Sequence, residues 1–146
     1  MFFNTDFLTD GEIRLNLTRT AEADPVKGWV PAYYFDICDL QGTPMGKCDL
    51  RIGHNEKLYF GGNIGYGVDE AFRGHRYAAK ACLLLFRLAA MHDLGYVIIT
   101  CREDNIASYK TCESLGGELL AVADVPEDSD MRAQGVERVR IYRFEV

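Results

Sequence analysis

The sequence predicts one mixed α+β domain over residues 1–146, built on a central sheet with two main helices. Three observations carry this. Alternating and short apolar runs fill the first half of the chain. Helical periodicity begins only after Phe72, and a nearly continuous apolar run at 96–101 follows the longest helix. Strand, helix and strand in that order make a crossover, which sets the two strands parallel with a right-handed connection.

Ile13, Leu15 and Leu17 alternate with Arg14, Asn16 and Thr18, the period of a half-buried strand. A polar stretch at 19–28 follows, broken by Pro25 and Gly28. Runs at 33–39, 47–52 and 58–68 are separated by Gly-Thr-Pro and Gly-His-Asn turns and read as an antiparallel meander. Over 76–93 the residues Ala78, Ala81, Cys82, Leu85, Leu88 and Ala89 recur at helical spacing, and Leu94-Gly95 supplies the stop. Asn105 can cap a second helix that ends at Leu115-Gly116-Gly117. Strands at 118–125 and 138–146 close the chain around an acidic loop at 127–135. The alternation of Tyr142, Phe144 and Val146 suits a strand at a sheet edge, open to a partner or a second copy.

Sixteen Lys and Arg stand against 22 Asp and Glu, a net charge of −6, in a chain that is 48% hydrophobic. That balance argues against a nucleic-acid partner, because phosphate backbones need a basic face. No apolar run reaches the roughly 20 residues of a membrane span, so no membrane partner is expected. The first residues, Met1-Phe2-Phe3-Asn4-Thr5-Asp6, lack the basic start and apolar stretch of a secretory signal. Five scattered cysteines (Cys38, Cys48, Cys82, Cys101, Cys112) form no C-x-x-C, and the three histidines show no ligand spacing. The expectation is reduced thiols in a cytoplasmic protein with no metal.

The most informative segment is 68–78. It joins a strand to the N-terminus of the longest helix, where free backbone N–H groups and the positive dipole end favour an anion. Gly74 lets the backbone approach a ligand. Arg73, His75 and Arg76 crowd positive charge at a helix start, where each cation is disfavoured by roughly 0.3–1 kcal/mol. A bound polyanion reverses that sign, so the segment reads as a pyrophosphate clamp. A solvated basic turn is the plain alternative. A P-loop pattern is absent, and a dinucleotide fingerprint on Gly65 and Gly67 would need a glycine at Glu70.

Arg73-Gly74-His75-Arg76-Tyr77-Ala78 after Val68 resembles the acetyl-CoA loop of the GNAT superfamily of acetyl-CoA-dependent N-acetyltransferases: Gln or Arg, two residues, Gly, one residue, then Gly or Ala. A second segment, Asn105-Ile106-Ala107-Ser108, then Cys112, then Leu115-Gly116-Gly117, is similar to the family's later helix. The element order matches as well. Arg76 stands where the family usually has Gly, Gly117 where it has Phe, and Cys112 where many members carry Tyr. The polar stretch at 19–28 is shorter than the family's two helices on the acceptor side.

The resemblance implies a mostly antiparallel sheet of about seven strands with a parallel splayed pair, flanked by two main helices, with the acceptor-side helices shortened or missing. It implies acetyl-CoA as cosubstrate, an amine acceptor, and attack of the amine on the thioester carbonyl with coenzyme A leaving as thiolate. Tyr66, Gly67 and Val68 would pair with the pantetheine arm and offer an oxyanion donor. Arg73, Gly74, His75, Arg76, Tyr77 and Ala78 would hold the pyrophosphate, with Asn105 and Ser108 on the later helix also at the cofactor. Cys112 would protonate the departing thiolate, carry the acetyl group, or simply pack the inner helix face. Interior glycines mark a close backbone–ligand approach or a bulge. His54, Glu56 and Glu70 are candidates for a base, none of them assigned. A silent acyl-CoA-binding protein and a protein-interaction module are the competing readings, and a homodimer is compatible with each.

Overall fold

A computed structural model describes residues 1–146. The elements are β1 (Ile13–Ala21), β2 (Ala32–Asp39), β3 (Pro44–Arg51), α1 (Glu56–Gly61), β4 (Ile64–Val68), a 3-10 turn (Glu70–Phe72), α2 (Tyr77–Met91), β5 (Tyr96–Arg102), α3 (Ile106–Ser114), β6 (Glu118–Asp124), α4 (Asp130–Ala133) and β7 (Arg138–Glu145). The seven expected strands form two sheets. One is the antiparallel meander β1-β2-β3-β4, and the other has the order β5-β7-β6. No helix lies between β1 and β2.

The main core is sandwiched between the inner face of the first sheet and α2. Ile13, Leu15, Tyr33, Phe35, Ile37 and Leu50 meet Leu84, Leu85 and Leu88 of α2 there. Each such leucine, fully buried, contributes about 1.5–3 kcal/mol. Asp93 and Gly95, both at positive φ, end α2 and turn the chain into β5. A smaller cluster on the other face of the second sheet gathers Ile98, Val125, Val139 and Ile141 beneath Phe60 of α1 and Met131 of α4.

Four local expectations change. The run at 58–68 is two elements, because Asn55 Oδ1 accepts the Leu58 N–H (2.9 Å) and caps α1. Gly62, at φ +83°, ends that helix, so Gly61 and Gly62 are not strand glycines. Leu17 is exposed, since a register shift between Leu17 and Arg19 breaks the alternation of β1. The acidic loop holds one helical turn, capped by Ser129. Finally, β7 is central in its sheet: Val139 and Ile141 are buried on one face and Tyr142 and Phe144 on the other. The edge is β6, which exposes Leu119, Leu120 and Val122.

Candidate functional site

The crossover through α2 brings β4 and β5 side by side, but they belong to different sheets. They are joined at one point, Asn63, which is fully buried. Its backbone N–H donates to Ile98 O (2.7 Å), and its Oδ1 accepts the Ile98 N–H (2.8 Å). Its Nδ2 donates to Arg51 O (3.0 Å) and Gly53 O (2.8 Å), and its carbonyl accepts the Arg51 N–H. A single residue thus ties β3, β4 and β5 together. Gly62 permits the approach, since a Cβ there would lie 3.2 Å from Ile98 O and Thr100 N. Beyond Asn63 the strands diverge without a ladder. Antiparallel pairing turns alternate amides of a strand toward its partner. The Asp69 N–H is bonded to Met45 O, and Tyr66 and Val68 lie on the opposite parity, with their amides facing the gap.

At the open end lies the basic turn. Phe72 and Arg73 have backbone acceptors in the 3-10 turn, but the amides of Gly74, His75, Arg76, Tyr77, Ala78 and Ala79 have none within the chain, and the helical ladder resumes at Lys80 N–H to Arg76 O. Six consecutive donors are thus left unpaired at a helix N-terminus, an arrangement able to receive an anion. Gly74 (φ +91°) is needed for the turn. Arg76 caps α2 at φ +64°, a left-handed conformation that strains a non-glycine residue by about 1–2 kcal/mol. A glycine at this position would adopt that conformation freely. Arg73 Nε donates to Val68 O (3.0 Å), which fixes the guanidinium at the mouth of the gap. Arg73, Gly74, His75 and Arg76 are exposed, while Tyr77 and Ala78 are half-buried.

Inside the gap, Tyr66 reaches from β4 to α3, its hydroxyl 2.9 Å from Ser108 Oγ. Burial pushes the Tyr66 phenol well above its ordinary range, so it stays protonated. Asn105 caps α3 through the Ser108 N–H (3.2 Å). Cys112 is fully buried, and its thiol is pushed far up by the adjoining Cys101 thiol and by burial. Cys101 is correspondingly drawn down by Cys112, against its own burial. All five cysteines are free. Gly117 also acquires a reason: a Cβ there would meet the Phe144 ring at 2.6 Å. The space beside residue 117 is filled by the Phe144 ring from β7.

Of the base candidates, His54 is stacked on Tyr96 (4.1 Å between ring centroids) and its Nε2 lies 3.2 Å from Leu94 O, contacts that hold the turn against β5. Glu70 sits on the exposed 3-10 turn. Glu56 lies at a cavity of about 550 Å³ between the 28–32 segment, α1 and the loop before α4, together with Trp29, Asp128 and Asp130. No group of three or more His, Cys, Asp or Glu is placed to hold a metal, and no helix is long and apolar enough to cross a membrane. The site residue most clearly missed from sequence is Asn63. A lone Asn between Gly61-Gly62 and Ile64 was the available signal.

The family model for the acetyltransferase (GNAT) domain matches residues 3–118. Among solved structures, the chain is similar to RimL, a ribosomal L7/L12 alpha-N-protein acetyltransferase (22% identity, TM-score 0.60, covering 83% of this chain and 63% of that one). It is also similar to the microcin C7 self immunity acetyltransferase MccE in complex with acetyl-CoA and AMP (23%, 0.62, 79% and 61%). A third is a putative ribosomal-protein-serine acetyltransferase from Vibrio cholerae (18%, 0.62, 83% and 67%). The chain therefore spans less than two thirds of the length of the RimL and MccE chains. No curated protein matches it.

Proposed function

Because this chain belongs to the GNAT acetyltransferase family, we propose that it transfers the acetyl group of acetyl-CoA to a primary amine of a small molecule, peptide or protein. The observation that carries this reading is the run of unpaired amides from Gly74 to Ala79 at the mouth of a gap between two strands. In the proposed complex Gly74, His75, Arg76, Tyr77 and Ala78 cradle the pyrophosphate through their amides, with the charges of Arg73 and Arg76 outside. The pantetheine arm lies along Tyr66, Gly67 and Val68, supplying β4 with the ladder partner that β5 does not. One of the gap-facing amides then holds the oxyanion, worth about 3 kcal/mol. Asn105 and Ser108 border the gap from α3 and complete the cofactor contacts.

The departing thiolate needs a proton donor. Cys112 holds the position that the resemblance points to, but its complete burial favours packing for it. The Tyr66 hydroxyl, which is half-buried and reaches from β4 to Ser108 Oγ on α3, is the donor proposed here. A silent acyl-CoA-binding protein remains the second reading, favoured by the absence of a hydroxyl at residue 112. Similarity to enzymes named as acetylating ribosomal proteins supports a peptide or protein terminus among the acceptors, as does the missing cover between β1 and β2. The free cysteines support a cytoplasmic setting. The exposed leucines of the β6 edge support pairing with a second copy, which light scattering after size exclusion would reveal.

Isothermal titration with acetyl-CoA tests the reading, with adenosine 3′,5′-bisphosphate as control. Micromolar binding that needs the pantetheine arm is expected. No binding would overturn both coenzyme-based readings. Binding without thiol release across a panel of amines would leave the silent one.

A further inference from the structure

The outer face of β3 and β4, opposite the helices, carries a second cavity of about 380 Å³. Its lining includes Arg19, Tyr34, Lys47, Asp49, Gly65 and Gly67. Register sets Asp49 across from Gly65 and Lys47 across from Gly67. Gly65 has no side chain to hold the Asp49 carboxylate away, and a Cβ there would come within 3.1 Å of Asp49 Oδ2. Asp49 Oδ1 accepts the Gly65 N–H at 3.1 Å and lies 3.4 Å from Arg51 Nη1. Over Gly67 nothing stands within 4 Å of where a Cβ would be. A carboxylate therefore rests on the outer face of the strand whose other features face the gap, with open space beside it. Both glycines leave this stretch of the outer face without side chains of its own beside the carboxylate.

From this arrangement we propose that Asp49 is the proton acceptor for the incoming amine, which approaches over Gly65 and Gly67 from the outer face. The inference rests on the acetyl-transfer reading above. In the reaction the N–C bond forms and the C–S bond breaks. An alkylammonium sheds two protons: one passes through Asp49 to solvent, and the other ends on the coenzyme A sulfur. The charged and titratable groups facing Asp49 are Lys47 and Arg51 from β3, Arg19 from β1, and Tyr34 and Asp36 from β2. Arg19 is held over the Tyr34 ring at 3.7 Å, and Lys47 is held by Asp36 at 3.4 Å. From β4 only the Gly65 amide reaches it. Burial raises the Asp49 carboxyl, against the pull of Arg51, the Gly65 amide and Arg19. That brings it closer to the working pH of a base.

Asp49→Asn tests the assignment, because its amide oxygen can keep the Gly65 bond. Two acceptors are compared by thiol release from acetyl-CoA at pH 7: ethylamine, which arrives protonated, and hydroxylamine, which arrives neutral. The expected result is a loss of about 100-fold in kcat/KM for ethylamine, with the acid limb of its pH profile removed. Hydroxylamine turnover should stay within about threefold and acetyl-CoA affinity should not change. Equal losses with both acceptors would mean a structural role and overturn the proposal, as would an unchanged ethylamine rate. Wild-type protein that acetylates hydroxylamine but not ethylamine would overturn it too. Failure of the wild type to bind acetyl-CoA in the titration would instead remove the reading on which it rests.

Discussion

The residue that leads into β4 and the turn that leaves it satisfy their polar groups in opposite ways. Asn63, fully buried, bonds its amide, its carbonyl and both side-chain functions within the chain. Past Val68, Gly74 to Ala79 leave six amides unpaired and the side chains of 73–76 exposed. The strand between them is five residues long. Saturation marks the end that holds the fold, and unsaturation the end where the cofactor is proposed to bind. A buried unpaired donor costs about 1–3 kcal/mol, so the exposed end bears its open amides with the help of water and the buried end could not.

The largest expected effect comes from breaking the closed end. Asn63→Ala orphans the Ile98 N–H and the carbonyls of Arg51 and Gly53, and should lower unfolding free energy by about 3–5 kcal/mol. Urea denaturation measures it, and a loss under 1 kcal/mol would sink the contrast between the two ends. Next, Tyr66→Phe should slow thiol release about 30-fold while acetyl-CoA affinity holds, as steady-state kinetics beside calorimetry would show. At the open end, Arg73→Ala with Arg76→Ala should weaken acetyl-CoA at least tenfold, about 1.4 kcal/mol, with little change in stability. Arg76→Gly alone should sharpen the distinction: relief of the positive φ should stabilise the protein by about 1 kcal/mol even as cofactor affinity falls. Smallest in kinetic terms is Cys112→Ser, expected to leave turnover within about twofold while thermal unfolding shows a modest loss from burying a hydroxyl. A tenfold rate loss there would return the proton donor to α3.

What could be read from the sequence follows the same contrast. The basic turn proposed to bind the pyrophosphate stands out in the sequence because its signal is local: Gly74 beside three basic residues at a helix start is a contradiction within one turn of chain. The periodicity of α2 and the Asn105 cap were local too. The closed end was not legible, because the partners of Asn63 lie 10 to 35 positions away and its neighbours Gly61 and Gly62 read equally as strand or helix end. Asp49 was hidden for a similar reason. Its meaning depends on Gly65 lying opposite, which is a matter of register. The central place of β7 escapes the sequence because alternation reports which side chains are buried on each face and is silent about the neighbours in the plane of the sheet.

The replacement at Gly117 has a consequence for substitution. Phe144, which packs on Phe86 (5.1 Å between ring centroids), occupies the space that a side chain at residue 117 would enter. The two positions are therefore one unit of volume shared between a loop and a strand. Gly117→Phe alone overfills it, and Phe144→Ala alone leaves a void. Each single change should be damaging, whereas the double exchange returns the ring from the other side. Exchange of the ring between the two positions, one substitution at a time, therefore passes through a less stable protein.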